Sequence, residues 1–336
     1  MPLRADVFRV GIFHTELERK APGLLYRDIV RGKDDVQAAI DRIVRANADI
    51  LVLLDFDFDY HLVALKAFAK GIHDSGGPDY AYQFAQRPNT GMPSGLDLNN
   101  DGRLGTPKDT HGYGRFSGQG GMAVLSRFPI TAESVENFSN VIWADLPWAE
   151  LPQIEGAPFL TPEVAEMLRL STTGHWVVPV QFPNGARVHL LTYHATPPAF
   201  DGAEDLNGLR NADETRFWLK YLETNQPENP IVVGGANLDP LRGDGRRGAI
   251  KKLLTLPMLQ DPFDESTITV DWTDIDLGEM RTDYVLPSAD LFVREVGTLW
   301  PLERSDDHSR HAIVWADIEM PSPAAPVMLE TSAMTQ

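Results

Sequence analysis

Apolar residues in this chain gather into two kinds of stretch. Short β-forming runs recur at Phe8–Phe13, Ile50–Leu54, Val177–Phe182, Val188–Leu191 and Ile231–Val233. Runs of this length, bounded by turn residues, predict strands buried on both faces. Other stretches carry apolar residues at helical spacing. Val36, Ile40, Ile43 and Val44 predict a helix over about 33–47, with Asp34 and Asp35 suited to its positive N-terminus. Thr161-Pro162-Glu163 supplies an N-cap, a first-turn proline and an acid for a helix near 161–169. Glu204–Glu214 opens another, which carries Phe217, Trp218, Tyr221 and Leu222. From Asp244 to Leu256, basic residues flank Ile250, Leu253 and Leu254 and predict an amphipathic surface helix. Strands and helices interleaved in this way predict an α/β chain.

The polar residues that follow the strands carry the candidate chemistry. Ile231-Val-Val runs into Gly234-Gly235 and then into Asn237 and Asp239, before Pro240 ends the stretch. A buried strand thus delivers polar groups to a sheet edge, where a rigid scaffold can aim them into a cleft. His194 follows the strand Val188–Leu191, Asp283 opens Tyr-Val-Leu-Pro, and Asp307-His308 precedes the apolar run Ala312–Trp315. Asp55-Phe-Asp-Phe-Asp59 alternates acids with aromatics, so an extended backbone puts Asp55, Asp57 and Asp59 on one face. Three such carboxylates repel one another unless a cation or hydrogen bonds offset the repulsion.

Taken in order, these stretches resemble the endonuclease/exonuclease/phosphatase superfamily, the DNase I-like metal-dependent phosphoesterases, over roughly residues 8–318. Phe8–His14 looks like the first strand and Asp49–Asp55 like the second. Gly121-Met-Ala-Val-Leu-Ser-Arg-Phe-Pro-Ile130 is close to the family's "GxAILSRxPI" pattern. His194 matches the His of its "TH" motif, Gly234-Gly-Ala-Asn237 its "GDFN", Arg281-Thr-Asp-Tyr284 its "IDY", and Asp307-His308 its "SDH" ending. The resemblance implies a four-layer α/β/β/α sandwich, two packed mixed sheets flanked by helices. It also implies a divalent metal, Mg²⁺, Mn²⁺ or Zn²⁺, on His14, Asp55, Asp57 and Asp307. His308, His194, Asn237 and Asp283 would be the catalytic residues. Among these, Asp283 would fix the tautomer of His308, and His194 and Asn237 would bind phosphoryl oxygens.

The departures fall at the chemistry. His14 stands where the family has a metal-site Asn, Asp55 where it has Glu, and Gly235 where the Asp of "GDFN" orients the nucleophile. The resemblance therefore implies a diverged metal-dependent hydrolase of small phosphate mono- or diesters. Two alternatives stay open: an altered or inactive member acting as a binding protein, and a metalloenzyme turned to a non-phosphate substrate. Imidazole in place of an amide shifts the ligand set toward Zn²⁺, Mn²⁺ or Fe²⁺ and away from Mg²⁺.

A Gly/Pro/Asn-rich insertion occupies about 88–120. Within it Asp97, Asn99, Asp101, Gly102 and Arg103 fit the first half of a calcium loop, and Asp109 stands beside Lys108 at the closing position. Structural Ca²⁺ and a metal-free Asx turn are both readings of this pattern. His175, before the strand Val177–Phe182, and Arg210 and Asn211, at a helix start, are candidates for substrate binding. Against these stand a packed histidine and a solvated helix start.

Composition removes several classes. The net charge is −18 and no basic stripe is present, so nucleic acid is not an expected partner and an anionic membrane is repelled. A small phosphate ester in a local pocket remains compatible. Without cysteine there are no disulfides, thiolate metal sites or cysteine nucleophiles. No apolar run approaches membrane-spanning length. The opening Met1–Asp6 lacks the apolar core of a leader. The expectation is a cytoplasmic protein, or a periplasmic or secreted one if a leader has been trimmed. With no linker or repeat in view, 1–318 reads as one domain and 319–336 as a loose tail.

Overall fold

The computed structural model describes residues 7–302 and 309–320. The β-forming runs assemble into two large mixed sheets. The first holds six strands in the order Val293–Leu299, Ile313–Glu319, Val7–His14, Ile50–Phe56, Gly121–Ser126 and Tyr82–Phe84. The second holds five, in the order Asp283–Pro287, Pro230–Gly235, Arg187–His194, His175–Gln181 and Glu136–Asn137. Each sheet has a parallel pair near its middle: Val7–His14 with Ile50–Phe56, and Arg187–His194 with Pro230–Gly235. The other pairings within these sheets are antiparallel.

Alternation along the strands builds the layers. Phe8, Val10, Ile12, Ile50, Val52 and Leu54 face Val178, Leu190, Ile231, Val233 and Val285 between the sheets. The alternate residues Phe13, Leu51 and Leu53 pack on Val36, Ile40 and Ile43 of the helix Asp34–Ala46 and on Leu65, Phe68 and Ile72 of Val63–Asp74. On the far side, Val232, Tyr284 and Leu286 meet Leu209, Trp218 and Leu222 of Leu206–Thr224 and Ile250 and Leu253 of Gly248–Leu254. Helices, sheet, sheet and helices make the four-layer α/β/β/α sandwich. Burial on both faces explains why the strands read as near-continuous apolar runs. Each large apolar side chain taken from water contributes on the order of 1.5–3 kcal/mol.

Local chemistry sets the element ends. The helix Asp34–Ala46 carries Asp34 and Asp35 in its first turn and stops at Asn47, which adopts the left-handed conformation with φ 47°. The helix expected near 161–169 is one turn, Pro162–Ala165, capped by the Thr161 hydroxyl. It ends early because Leu168 O accepts from Trp143 N and Leu170 N donates to Val141 O, bonds that a continuing helix would not make. The surface helix expected over 244–256 is shortened to Gly248–Leu254. The structure adds the helices Leu24–Val30 and Val63–Asp74 and the hairpin of Val270–Trp272 with Gly278–Met280. Among the described residues no helix is long and apolar enough to cross a membrane.

Candidate active site

Strand register brings the polar ends together. In the five-stranded sheet Gly235 lies level with His194 on one side and with Asp283 on the other. In the six-stranded sheet His14 lies level with Leu54, one residue before Asp55. Phe13 pairs with Ile313, so His311 reaches the same edge just ahead of its strand. Because the sheets are packed face to face, these edges enclose one cleft. Asp55 and Asn237 hold left-handed backbone there, φ 51° and 50°. Such conformations cost roughly 1–3 kcal/mol each and persist where surrounding structure imposes them.

Asp55 Oδ2 is 2.9 Å from His14 Nε2, and its Oδ1 is 3.7 Å from His194 Nδ1. Asp283 stands between two imidazoles. Its Oδ2 accepts from His311 Nδ1 at 2.7 Å, and its Oδ1 is 3.9 Å from His14 Nδ1. The His14 ring lies 3.9 Å from that of His311 and 4.8 Å from that of His194. Asn237 Nδ2 donates to Ala195 O at 2.8 Å and lies 3.4 Å from His194 Nε2. Three buried atoms in this set, His14 Nδ1, His194 Nδ1 and Asp283 Oδ1, have no hydrogen-bond partner.

Burial and charge work against each other here. Burial pulls the His14 pKa down, but the charge and hydrogen bond of Asp55, with Asp283 and Glu16 behind, outweigh it and raise His14 to about 9. Burial opposes ionisation of Asp55 as well, and His14 again prevails, lowering Asp55 to about 2. The two form an ion pair at neutral pH. His194 is pushed down to about 4 by burial and stays neutral. Asp283 is buried too, yet His311 and His14 hold it below its ordinary value. Glu18 is raised to about 7 by burial and by the neighbouring charge of Asp55.

Asp307 and His308, read as the "SDH" ending, lie outside the described residues. The imidazole that Asp283 engages is His311, so Ser309-Arg310-His311 occupies the place of that motif. Arg310 then falls where the motif has its Asp, and its guanidinium is taken up by Asp274 and Glu16. Ser309 Oγ donates to His14 O and accepts from His311 N, which ties the two histidine strands together. Trp272, on the added hairpin, packs edge-on against His311 with centroids 5.5 Å apart.

Gly235 has a steric partner that the sequence concealed. A Cβ at this position would stand 2.6 Å from Leu54 Cδ1 and 3.2 Å from His194 Cδ2. Leu54 thus occupies the space next to which the family's Asp would sit.

Other candidates are engaged elsewhere. Asp57 accepts from Gly120 N and Arg19 N at 3.0 Å, and burial raises it to about 7. Its carboxyl holds the loops that border Asp55, and it joins neither group of metal-capable side chains found among the described residues: His14, Asp55 and His194, or His14, Asp283 and His311. Arg210 is buried, and its guanidinium donates to the carbonyls of Leu170, His111 and Arg169. Asn211 donates to Thr196 O and Ala236 O. His175 lies fully buried; its Nε2 donates to Glu214 O at 2.8 Å and its Nδ1 accepts from the Ser171 hydroxyl at 2.6 Å. These three brace the loops behind the cleft: Arg210 and His175 spend their polar atoms on protein partners, and Asn211 spends its amide nitrogen while its Oδ1 is left without one.

The 97–109 loop folds on its own hydrogen bonds. Asp97 accepts from Asp101 N and Gly102 N, Asp101 from Arg103 N and from the Asn99 amide, and Asp109 from Leu98 N and Thr106 N. Asx turns and a capping box at Thr106–Asp109 shape the segment that carries the calcium pattern.

The sequence pattern of the Endonuclease/Exonuclease/phosphatase family matches residues 25–306, and the chain belongs to that family. No curated protein matches it. Among solved structures, an endonuclease/exonuclease/phosphatase from Beutenbergia cavernae DSM 12333 is similar, with TM-score 0.59 and 17% identity over 96% of this chain and 74% of that one. The human Nocturnin catalytic domain with bound sulfate matches with TM-score 0.54 and 14% identity over 95% of each chain. Sphingomyelinase C from Streptomyces griseocarneus matches with TM-score 0.50 and 18% identity over 93% of this chain and 99% of that one. At such identities the likeness establishes the fold. The family's members are metal-dependent hydrolases of phosphodiester or related phosphate substrates.

Proposed function

We propose that this protein is a metal-dependent hydrolase of small phosphate mono- or diesters. The observation that carries the reading is the convergence, where the edges of the two sheets meet, of His14, Asp55, His194, Asp283 and His311 with three buried polar atoms left unpartnered. A buried polar atom without a partner costs about 1–3 kcal/mol, so a site that keeps three is built for an occupant. These donors fit the divalent metal of the family: Asp55, with His14 beside it, would hold Mg²⁺, Mn²⁺ or Zn²⁺. Such an ion supplies Lewis-acid polarisation of a phosphoryl oxygen.

The protein's own groups have separate tasks. Asp283 fixes His311 with the proton on Nδ1, which leaves Nε2 to take or give a proton at the reacting centre. Asn237, at the strand end, offers its amide to a substrate oxygen. Arg310 is already paired with Asp274 and Glu16, and the chain's net charge is −18, so a polyanion gains little here. A small ester suits the cleft better than nucleic acid.

One observation favours a second reading, a binding protein that has lost phosphoryl transfer: Leu54 fills the space beside Gly235, where the family's nucleophile-orienting Asp would stand. Hydrolysis of bis(p-nitrophenyl) phosphate and p-nitrophenyl phosphate, with each metal and with chelator, separates the two. Metal-dependent turnover that falls about 10²–10⁴-fold in His311→Asn supports the enzyme. Absence of turnover with every metal supports the binding protein. Turnover of p-nitrophenyl acetate alone would point to a non-phosphate ester.

A further inference from the structure

We infer that the cleft is a two-histidine, one-carboxylate centre, His14, His194 and Asp55, built for a borderline first-row cation such as Zn²⁺, Mn²⁺ or Fe²⁺. The inference rests on the hydrolase reading for its setting and deepens it by fixing the ligands and the class of metal. His194 here joins the metal, a role distinct from oxygen binding.

Geometry supports this set. Ligand atoms about 2.0–2.2 Å from one ion stand roughly 3–3.5 Å apart. The corresponding spacings are 2.9 Å from His14 Nε2 to Asp55 Oδ2 and 3.7 Å from His194 Nδ1 to Asp55 Oδ1. His14 and His194 are more than nine-tenths buried, and His194 Nδ1 faces this space with no partner. A second observation comes from behind His14. Its Nδ1 faces Asp283 Oδ1 at 3.9 Å, and both atoms lack partners. A carboxylate on the far nitrogen is the usual brace for a metal-bound imidazole, because it fixes the tautomer and raises ligand basicity.

The alternative group, His14, Asp283 and His311, is buried throughout, which leaves no open side for water or substrate. Asp55 keeps a quarter of its side chain exposed, which leaves an open side for water or substrate. Ligation at His194 Nδ1 puts that ring's proton on Nε2, and Asn237 meets it by turning its amide oxygen inward, at the cost of its bond to Ala195 O. Two imidazoles with one carboxylate select imidazole-loving metals over Mg²⁺, which prefers oxygen ligands and water.

X-ray absorption at the metal edge of the full-length protein, with elemental analysis of the same sample, tests this directly. Two nitrogen scatterers with imidazole shells on a stoichiometric transition metal are expected. Oxygen scatterers alone, or no transition metal after loading with Zn²⁺ or Mn²⁺, would overturn the assignment. In folded variants, His14→Asn and His194→Asn should weaken Zn²⁺ binding more than about 100-fold, and Asp283→Asn by about 10–100-fold. Asp101→Asn, in the exposed loop, should leave it unchanged; metal lost there and kept without the histidines would also overturn it. Phosphoesterase activity supported by Mg²⁺ without transition-metal binding would remove this inference and leave the proposed function standing. Transition-metal binding without phosphoester turnover would do the reverse.

Discussion

Leu54 and Gly235 face each other across the gap between the sheets, with Leu54 Cδ1 2.6 Å from the point where a Cβ on residue 235 would stand. The pair acts as a unit, because the leucine fills what the missing side chain vacates. Gly235→Asp alone inserts atoms into a packed interior and sets a carboxylate beside Asp283, whose Oδ1 is 3.5 Å from that Cβ. A loss of at least about 1–3 kcal/mol is expected from overpacking. Leu54→Ala alone should cost about 2–5 kcal/mol through the cavity it leaves. Combined, the two should destabilise by clearly less than their sum, with a coupling of about 1 kcal/mol or more. Urea unfolding of the four proteins in this cycle measures the coupling, and strict additivity would mean that the two positions do not share space.

Asp283 and His311 should behave as one catalytic group. Their 2.7 Å bond is buried on both sides, so removing the carboxylate frees the imidazole to change tautomer. Asp283→Asn and His311→Asn should each lower kcat/KM by about 10²–10⁴-fold, and the double variant should be scarcely worse than the weaker single. Losses that multiply in steady-state kinetics would show that Asp283 serves some other partner, His14 being the one within reach.

Glu214 ties together the two loops that flank the site. Its Oε1 accepts from Thr172 N and Oγ1, and its Oε2 from Thr196 N, two residues beyond His194. Truncation strands these donors in the interior, so Glu214→Ala should lose about 3 kcal/mol or more. Thermal melting together with kcat/KM at a temperature where the variant is folded checks this. If the melting point holds, these bonds contribute little; if it falls while kcat/KM is unchanged, the His194 loop is positioned by something else.

How far the sequence exposes this design differs from element to element. The sheets are legible because strands covered on both faces must be apolar throughout, as Ile50–Leu54 and Ile231–Val233 are. His14, Asp55, His194, Asn237 and Asp283 are legible as strand-end polar residues, since register aligns those of each sheet at its own edge and sheet packing brings the two edges together. His311 is harder: Ser305–His311 holds two successive Ser-to-His patterns, and only the tertiary contact of Asp283 with His311 draws the eye to the second. Leu54 reads as one more core leucine, because its contact with Gly235 crosses from one sheet to the other. Arg210 and His175 mislead for the opposite reason. Their polar atoms look available along the chain, yet packing spends Arg210 on loop carbonyls some 40 residues away and His175 on the helix carbonyl of Glu214 and the Ser171 hydroxyl. Val63–Asp74 keeps helical spacing through Leu65, Phe68, Ala69 and Ile72, but its first amides, Val63 N and Ala64 N, are met by Asp59 rather than by Leu62 at the N-cap position, so the cap signal is displaced along the chain.

The pH dependence of stability should carry two opposed contributions, one from His175 and one from Glu214. Burial pushes this imidazole down to about 4, whereas an unfolded chain restores it to about 6.5. Between those values the unfolded state binds more protons, so stability rises with pH there. The contribution is fully present above about 6.5 and is lost as pH falls through about 4, some ~3 kcal/mol in all. Glu214 runs the other way: burial raises it to about 7, and below its unfolded value of about 4.3 the favourable protonated form is fully populated in both states. Its contribution is lost as pH rises from about 4.3 to about 7, so between about pH 4.3 and 6.5 it offsets the His175 contribution and the two together leave a nearly flat curve. Urea unfolding from pH 4.5 to pH 8 on wild type, His175→Gln and Glu214→Gln separates them. His175→Gln should unmask stability that falls as pH rises through this window, and Glu214→Gln should unmask stability that rises. A curve unchanged in His175→Gln would assign the rising contribution to another buried histidine, with His111, also lowered to about 4, the first to replace.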